Sequence, residues 1–191
     1  MAAITAAARE PAIGAMRLLW WRDALVRLDD GQAQIPAEPL LGAIAATLLP
    51  AGLSGLSLSA IEEGWAALLD EADPGHAEIL AHAQGRGGPL FALAATLLGA
   101  VPDDVVRAGE GWALADLGHR LRDGTARHFA RRQAAERLDG VDIRHWPATL
   151  RPLGLLVVLA RADAAQPAGE LRRQGAPKRL LRALAYRLTG R

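Results

Sequence analysis

Apolar residues return at intervals of three and four along nearly the whole chain, in stretches punctuated by proline and glycine: Ile61, Trp65, Leu68 and Leu69 are one run, and Val105, Val106, Trp112, Ala113 and Leu117 another. That spacing lines one face of a helix, whereas a half-buried strand needs strict alternation. No convincing alternating run and no repeat of fixed period is present. Ala and Leu supply most of the 51% hydrophobic content, and the aromatic residues favoured in strands are only 4%, which also favours helices. A chain of 191 residues is of ordinary single-domain size and can bury a continuous core. The expected fold class is therefore all-α: one domain over 1–191, with seven or eight helices around one core.

The breaks predict the elements. Glu10-Pro11 opens a first helix with Ile13, Met16, Leu18, Leu19, Trp20 and Leu25, ending near Asp29-Asp30-Gly31. Gln32 to Pro39 reads as a linker, Leu40 to Leu49 as a short helix stopped at Pro50, and Ala51 to Ser57 as a loop. Ser59 and Glu62 have capping-box spacing, which predicts a helix over about Ala60 to Glu71. Asp73-Pro74 supplies an N-cap and first-turn proline for a helix through His82, kinked at Gly85, Gly87, Gly88 and Pro89 and resuming to Leu98. Val101-Pro102-Asp103-Asp104 is expected to start the longest helix, with the acids in its first turn, and the helix to run past Gly124 toward Glu136. Helices from Pro147 and from Pro177 to Leu188 complete the set.

Several chemistries are excluded. The absence of cysteine removes disulfides, thiolate nucleophiles and Cys-ligated metals. The five histidines contain no pair three or four apart, so no zinc site is predicted, and no nucleophile elbow surrounds any serine. Met1 to Arg9 lacks the pattern of a signal peptide, and no run approaches a membrane span, so a cytoplasmic location is expected. The net charge of +1 conceals a division: residues 1–118 hold 6 basic and 15 acidic side chains, and 119–191 hold 16 and 6. Two halves that attract one another on folding is the plainer reading, and a basic surface the sharper. Recognised nucleic-acid folds and aromatic–basic interleaving are missing, so no nucleic acid is expected. The glycine run is read as a site of close packing, the helical tryptophans as core. The basic amphipathic tail, 166–191, is expected to dock Leu180, Leu181, Leu184 and Leu188 on the core, with contact to anionic membrane at its inner face as a secondary reading.

The stretch Ile13-Gly14-Ala15-Met16-Arg17-Leu18-Leu19-Trp20-Trp21-Arg22-Asp23-Ala24-Leu25 resembles the IG-x-x-RLxWWRDAL signature of bacterial squalene/phytoene synthase relatives. His82-Ala83-Gln84-Gly85-Arg86-Gly87-Gly88 is similar to the family's Y-A-x-G-T-A-G segment, and Ala108 to Asp116 to the helix that follows it. The resemblance covers about Glu10 to Asp123 and identifies Arg17, Trp20, Trp21, Arg22 and Asp23 as the family signature. It implies the isoprenoid synthase fold in a shortened form that lacks the family's N-terminal helices. In active members, two Asp-rich motifs hold Mg²⁺, which binds the diphosphates of prenyl substrates. Here the first motif has no counterpart, and the second is reduced to Asp116 and Asp123, flanked by Arg120 and Arg122.

Within one uninterrupted helix Asp116 and Asp123 would share a face about 10 Å apart, and Arg120 would pair with Asp116 four residues away. They are read first as structural residues and second as metal ligands, with Arg120 and Arg122 as diphosphate-binding candidates. The resemblance thus implies a catalytically degenerate member acting as a binding or assembly factor, since relatives with eroded motifs are associated with respiratory complex I assembly. The alternative is an active or partner-dependent prenyltransferase using Mg²⁺.

Overall fold

The computed structural model describes residues 1, 10–69, 74–166, 172, 173 and 175–190. Among them the chain forms α1 (Pro11–Arg27), α2 (Pro39–Thr47), α3 (Gly55–Ser59), α4 (Ile61–Ala66), α5 (His76–His82), α6 (Gly88–Leu97), α7 (Val105–Leu117), α8 (Gly124–Asp139), α9 (Arg151–Ala164) and α10 (Pro177–Thr189). A π-helical turn, Ala83–Gly87, joins α5 to α6, and a 3-10 turn, Ala148–Leu150, leads into α9. Because α3 meets α4 at Ala60 and α5 runs through the π turn into α6, the segments make eight rods. No strand occurs among the described residues, and the fold is all-α as the periodicity predicts.

Proline sits in the first turn of α1, α2, α6, α9 and α10, where its missing N–H leaves no intrahelical bond unmade. Glu38 caps α2 through the Leu41 amide at 3.0 Å.

Helix α7 is the centre, packed by α6, the π turn, α8 and α9. Its Val105, Ala108, Ala113 and Leu114 join Phe91, Leu138, Leu150 and Val157 in the main core. Small residues set the spacing. A Cβ on Gly87 would strike the Gly109 carbonyl, and one on Gly109 would strike that of Gly87; Gly64 and Gly85 exclude each other in the same way. The glycine run therefore serves close backbone contact through a π turn, the packing role expected of it. The N-terminal third adds two smaller clusters, Leu25, Leu28 and Leu41 in one and Leu18, Trp65 and Leu69 in the other.

Several expectations are corrected. The capping box belongs to Ser54 and Ser57, not to Ser59, whose hydroxyl donates to the Leu56 carbonyl at 2.8 Å inside α3. The helix thus begins within the predicted loop, and Asp29 fixes it there by accepting from the Gly55 and Leu56 amides at 2.6 and 2.9 Å. The helix expected to run past Gly124 stops at Leu117, because Asp123 takes an extended conformation and caps a new helix. Trp20 is not core but 45% exposed, its ring edge-on to the half-buried Trp21. The leucines of α10 do not dock either: all four face outward, and Tyr186 alone in that helix is buried. The helix expected to reach Glu71 ends at Ala66, and the helix expected to open at Asp73-Pro74 starts at His76 with Gly75 as its N-cap, which leaves Pro74 before the helix. Glu71, Asp73 and part of the tail lie outside the described residues.

Candidate functional site

Near the last turn of α7 the core holds a charge. Asp116 is buried, and its carboxylate accepts from Arg86 at 3.1 Å, Arg120 at 2.9 Å and Arg172 at 3.0 Å. Burial works against its ionised form, but the hydrogen bond from Arg172 and the charges of Arg120, Arg86 and Arg172 outweigh it and hold the carboxyl below its ordinary range. Arg172 also reaches Asp163 on α9 at 3.4 Å, and Asp163 in turn pairs with Arg179 of α10. Alternating charges thus run from the π turn through α7 and α9 to the last helix.

Arg86 is the most enclosed of these cations. Its guanidinium lies 4.6 Å from the ring centres of both Trp65 and Trp112, sandwiched between two indoles. Burial lowers its pKa, while the charge and hydrogen bond of Asp116 act in the opposite direction. One turn earlier, His82 donates from Nδ1 to the Gly64 carbonyl at 2.5 Å, which leaves Nε2 to accept from Arg86 at 3.4 Å. The imidazole sits edge-on to Trp65, and burial drives its pKa down to about 4 against the help of the Gly64 bond. The ring is neutral at physiological pH, with both nitrogens engaged.

This arrangement offers little to acid–base chemistry. Asp116 is ionised and its oxygens are occupied, His82 has no free nitrogen, and the arginines are donors only. The adjoining void is about 20 Å³, bounded by Trp112, Asp116, Leu156, Asp163, Arg172 and Arg179. A water fits such a space and a prenyl chain does not.

The sequence candidates separate. Arg120 pairs with Asp116 as its spacing predicts, but Asp123 does not face Asp116; it caps α8 through the Ala126 amide at 2.6 Å. Arg122 is exposed, and its carbonyl accepts from Arg127 at 3.1 Å. The signature residues lie on α1: Arg17 is exposed, and Arg22 and Asp23 form an exposed pair 3.9 Å apart. A helical turn carrying two carboxylates suits magnesium, but the residues here do not fit that ion. Guanidinium groups already hold Asp116, and among the described residues no three His, Asp or Glu side chains converge on a metal position.

Sequence reasoning missed Arg86, Trp65 and Trp112 as a unit, and Arg172, Asp163 and Arg179 altogether. The four-residue spacing of His82 and Arg86 was the one local signal; Arg172 lies 56 residues from Asp116, a distance at which no periodicity speaks.

A second cleft, of about 330 Å³, is lined by Arg127, His128, Arg131, Arg132 and Gln166 among others. Its cations are engaged: Arg127 with the Leu121 and Arg122 carbonyls, Arg131 with His119, and Arg132 with Glu136. No helix of the described residues is long and apolar enough to cross a membrane. No family model, curated protein or solved structure matches the chain.

Proposed function

We propose that this chain is a non-catalytic relative of the squalene/phytoene synthases, working as a binding or assembly factor through its surface. The observation that carries the reading is the state of Asp116. The carboxylate that would correspond to a magnesium ligand is held by three arginines. A guanidinium at each oxygen supplies the positive charge that a metal would otherwise bring, but as fixed side chains that leave no open position for a diphosphate.

The outside of the molecule supports the same reading. Helix α1 buries Gly14, Leu18, Ala24 and Leu25 on one side and turns Ile13, Met16 and Trp20 outward on another, with Met16 70% exposed. A helix apolar on two faces is suited to contact on both. Assembly of a respiratory complex such as complex I is the role that the family resemblance suggests for such a surface.

Two measurements test this. Calorimetry with farnesyl diphosphate is expected to give no magnesium-dependent heat, and magnesium-dependent binding would sink the proposal in favour of a prenyltransferase. A photoreactive residue placed at Met16 should give a discrete protein adduct in extract, lost with Trp20→Asp. An adduct pattern no different from a probe at the exposed Thr125 would count against a surface role.

A further inference from the structure

Helix α10 is attached to the protein by the side opposite its leucines. Tyr186 is buried with its hydroxyl tight over Gly154, where even a Cβ would collide, and Arg179 turns inward to Asp163. Leu180, Leu181, Leu184 and Leu188 fall on the other side at helical spacing, and their exposures are 58%, 65%, 52% and 73%. Folding therefore holds the helix firmly and presents its apolar stripe to the outside.

The charges around that stripe are of one sign. The helix contains Lys178, Arg179, Arg182 and Arg187 and no acid. With Arg179 engaged inward, the exposed Lys178 and Arg187 flank the leucines on either side, and Arg182 lies beyond Lys178. We propose that this face lies on an anionic lipid surface, with the leucines at the acyl boundary and Lys178 and Arg187 at the level of the phosphates.

Length and charge argue for that occupant. At 13 residues the helix is about 20 Å long, too short to span a bilayer but suited to lie along it. A second copy packed on the same stripe would bring basic flanks, Lys178 and Arg187, against basic flanks, whereas acidic headgroups neutralise both. The inference rests on α10 alone and stands or falls separately from the role assigned to α1 and Asp116.

Flotation with vesicles tests it. The full chain is expected to rise with phosphatidylcholine vesicles that contain phosphatidylglycerol and to stay behind with phosphatidylcholine alone, a comparison that needs no variant. Leu181→Asp with Leu188→Asp, both at exposed positions, should retain the wild-type circular dichroism and lower partitioning about tenfold or more. Lys178→Gln with Arg182→Gln and Arg187→Gln should remove most of the dependence on phosphatidylglycerol. The proposal is overturned if the wild type ignores acidic vesicles or if the leucine changes leave binding intact. A leucine-dependent dimer that does not bind vesicles would overturn it too, assigning the stripe to a second copy.

Discussion

Replacing Asp116 with alanine would leave Arg86 charged, buried between two indoles and without its carboxylate. Breaking a buried pair from one side typically costs about 3–5 kcal/mol, and urea unfolding of Asp116→Ala should show a loss of that order. Arg120→Ala should cost under about 1 kcal/mol, because the side chain it removes is half exposed and solvent screens it. Equal losses for the two variants would mean that the three arginines share the burden, contrary to their burial. His82 provides a pH test. Its folded pKa of about 4 lies below the ordinary 6.5, so between those values the unfolded chain binds the extra proton. Stability is complete above pH 6.5 and declines as the pH falls toward 4, by roughly 3 kcal/mol in all. His119, also shifted down by burial and by Arg131 and Arg172, acts in the same direction. A His82→Gln variant should therefore show a flatter decline in melting temperature across that window. Parallel curves for variant and wild type would rule out a neutral, buried His82 as the source.

At the level of elements, the crossing of the π turn over α7 depends on Gly87 and Gly109. Alanine at either is expected to cost about 2–3 kcal/mol, since the obstacle is backbone that cannot swing aside. Gly42→Ala in α2 meets open space and should stabilise by roughly 0.5–1 kcal/mol. Thermal unfolding of the three variants checks the contrast. The same comparison shows what was legible. Prolines marked the starts of α1, α2 and α10 because their effect is local, whereas α9 opens at Arg151, beyond the Pro147 expected to begin it, with a 3-10 turn between. The start of α3 was hidden because Ser54 and Ser57 form a capping box without the glutamate that usually advertises one. The end of α7 was hidden because the apolar rhythm resumes in α8 at Ala126, Ala130 and Ala134, and an aspartate that caps a helix looks in sequence like one that binds a metal.

On the scale of the whole molecule, the division of charge has two outcomes. Glu110 and Asp116 of the acidic half take arginines of the basic half, Arg137 in one case and Arg120 and Arg172 in the other. The attraction between halves anticipated from the sequence is thus partly realised as buried or half-buried pairs. Other cations of the second half, Lys178, Arg182 and Arg187, remain outside with the leucines of α10. Fold class was legible because it needs only periodicity; the centre of charge was not, because its members come from four separate stretches of chain.

Arg172 has a further consequence. It serves two carboxylates at once, Asp116 on α7 and Asp163 on α9, just ahead of a helix that is itself pinned to Asp163 by Arg179. Lifting α10 away together with Arg172 would therefore strand Asp163 without either of its arginines and leave Asp116 with Arg86 and Arg120 alone, so opening of this helix is coupled to loosening of the centre. The carboxyl-terminal helix behaves as the outer handle of the core: a force applied to it is borne by the interior.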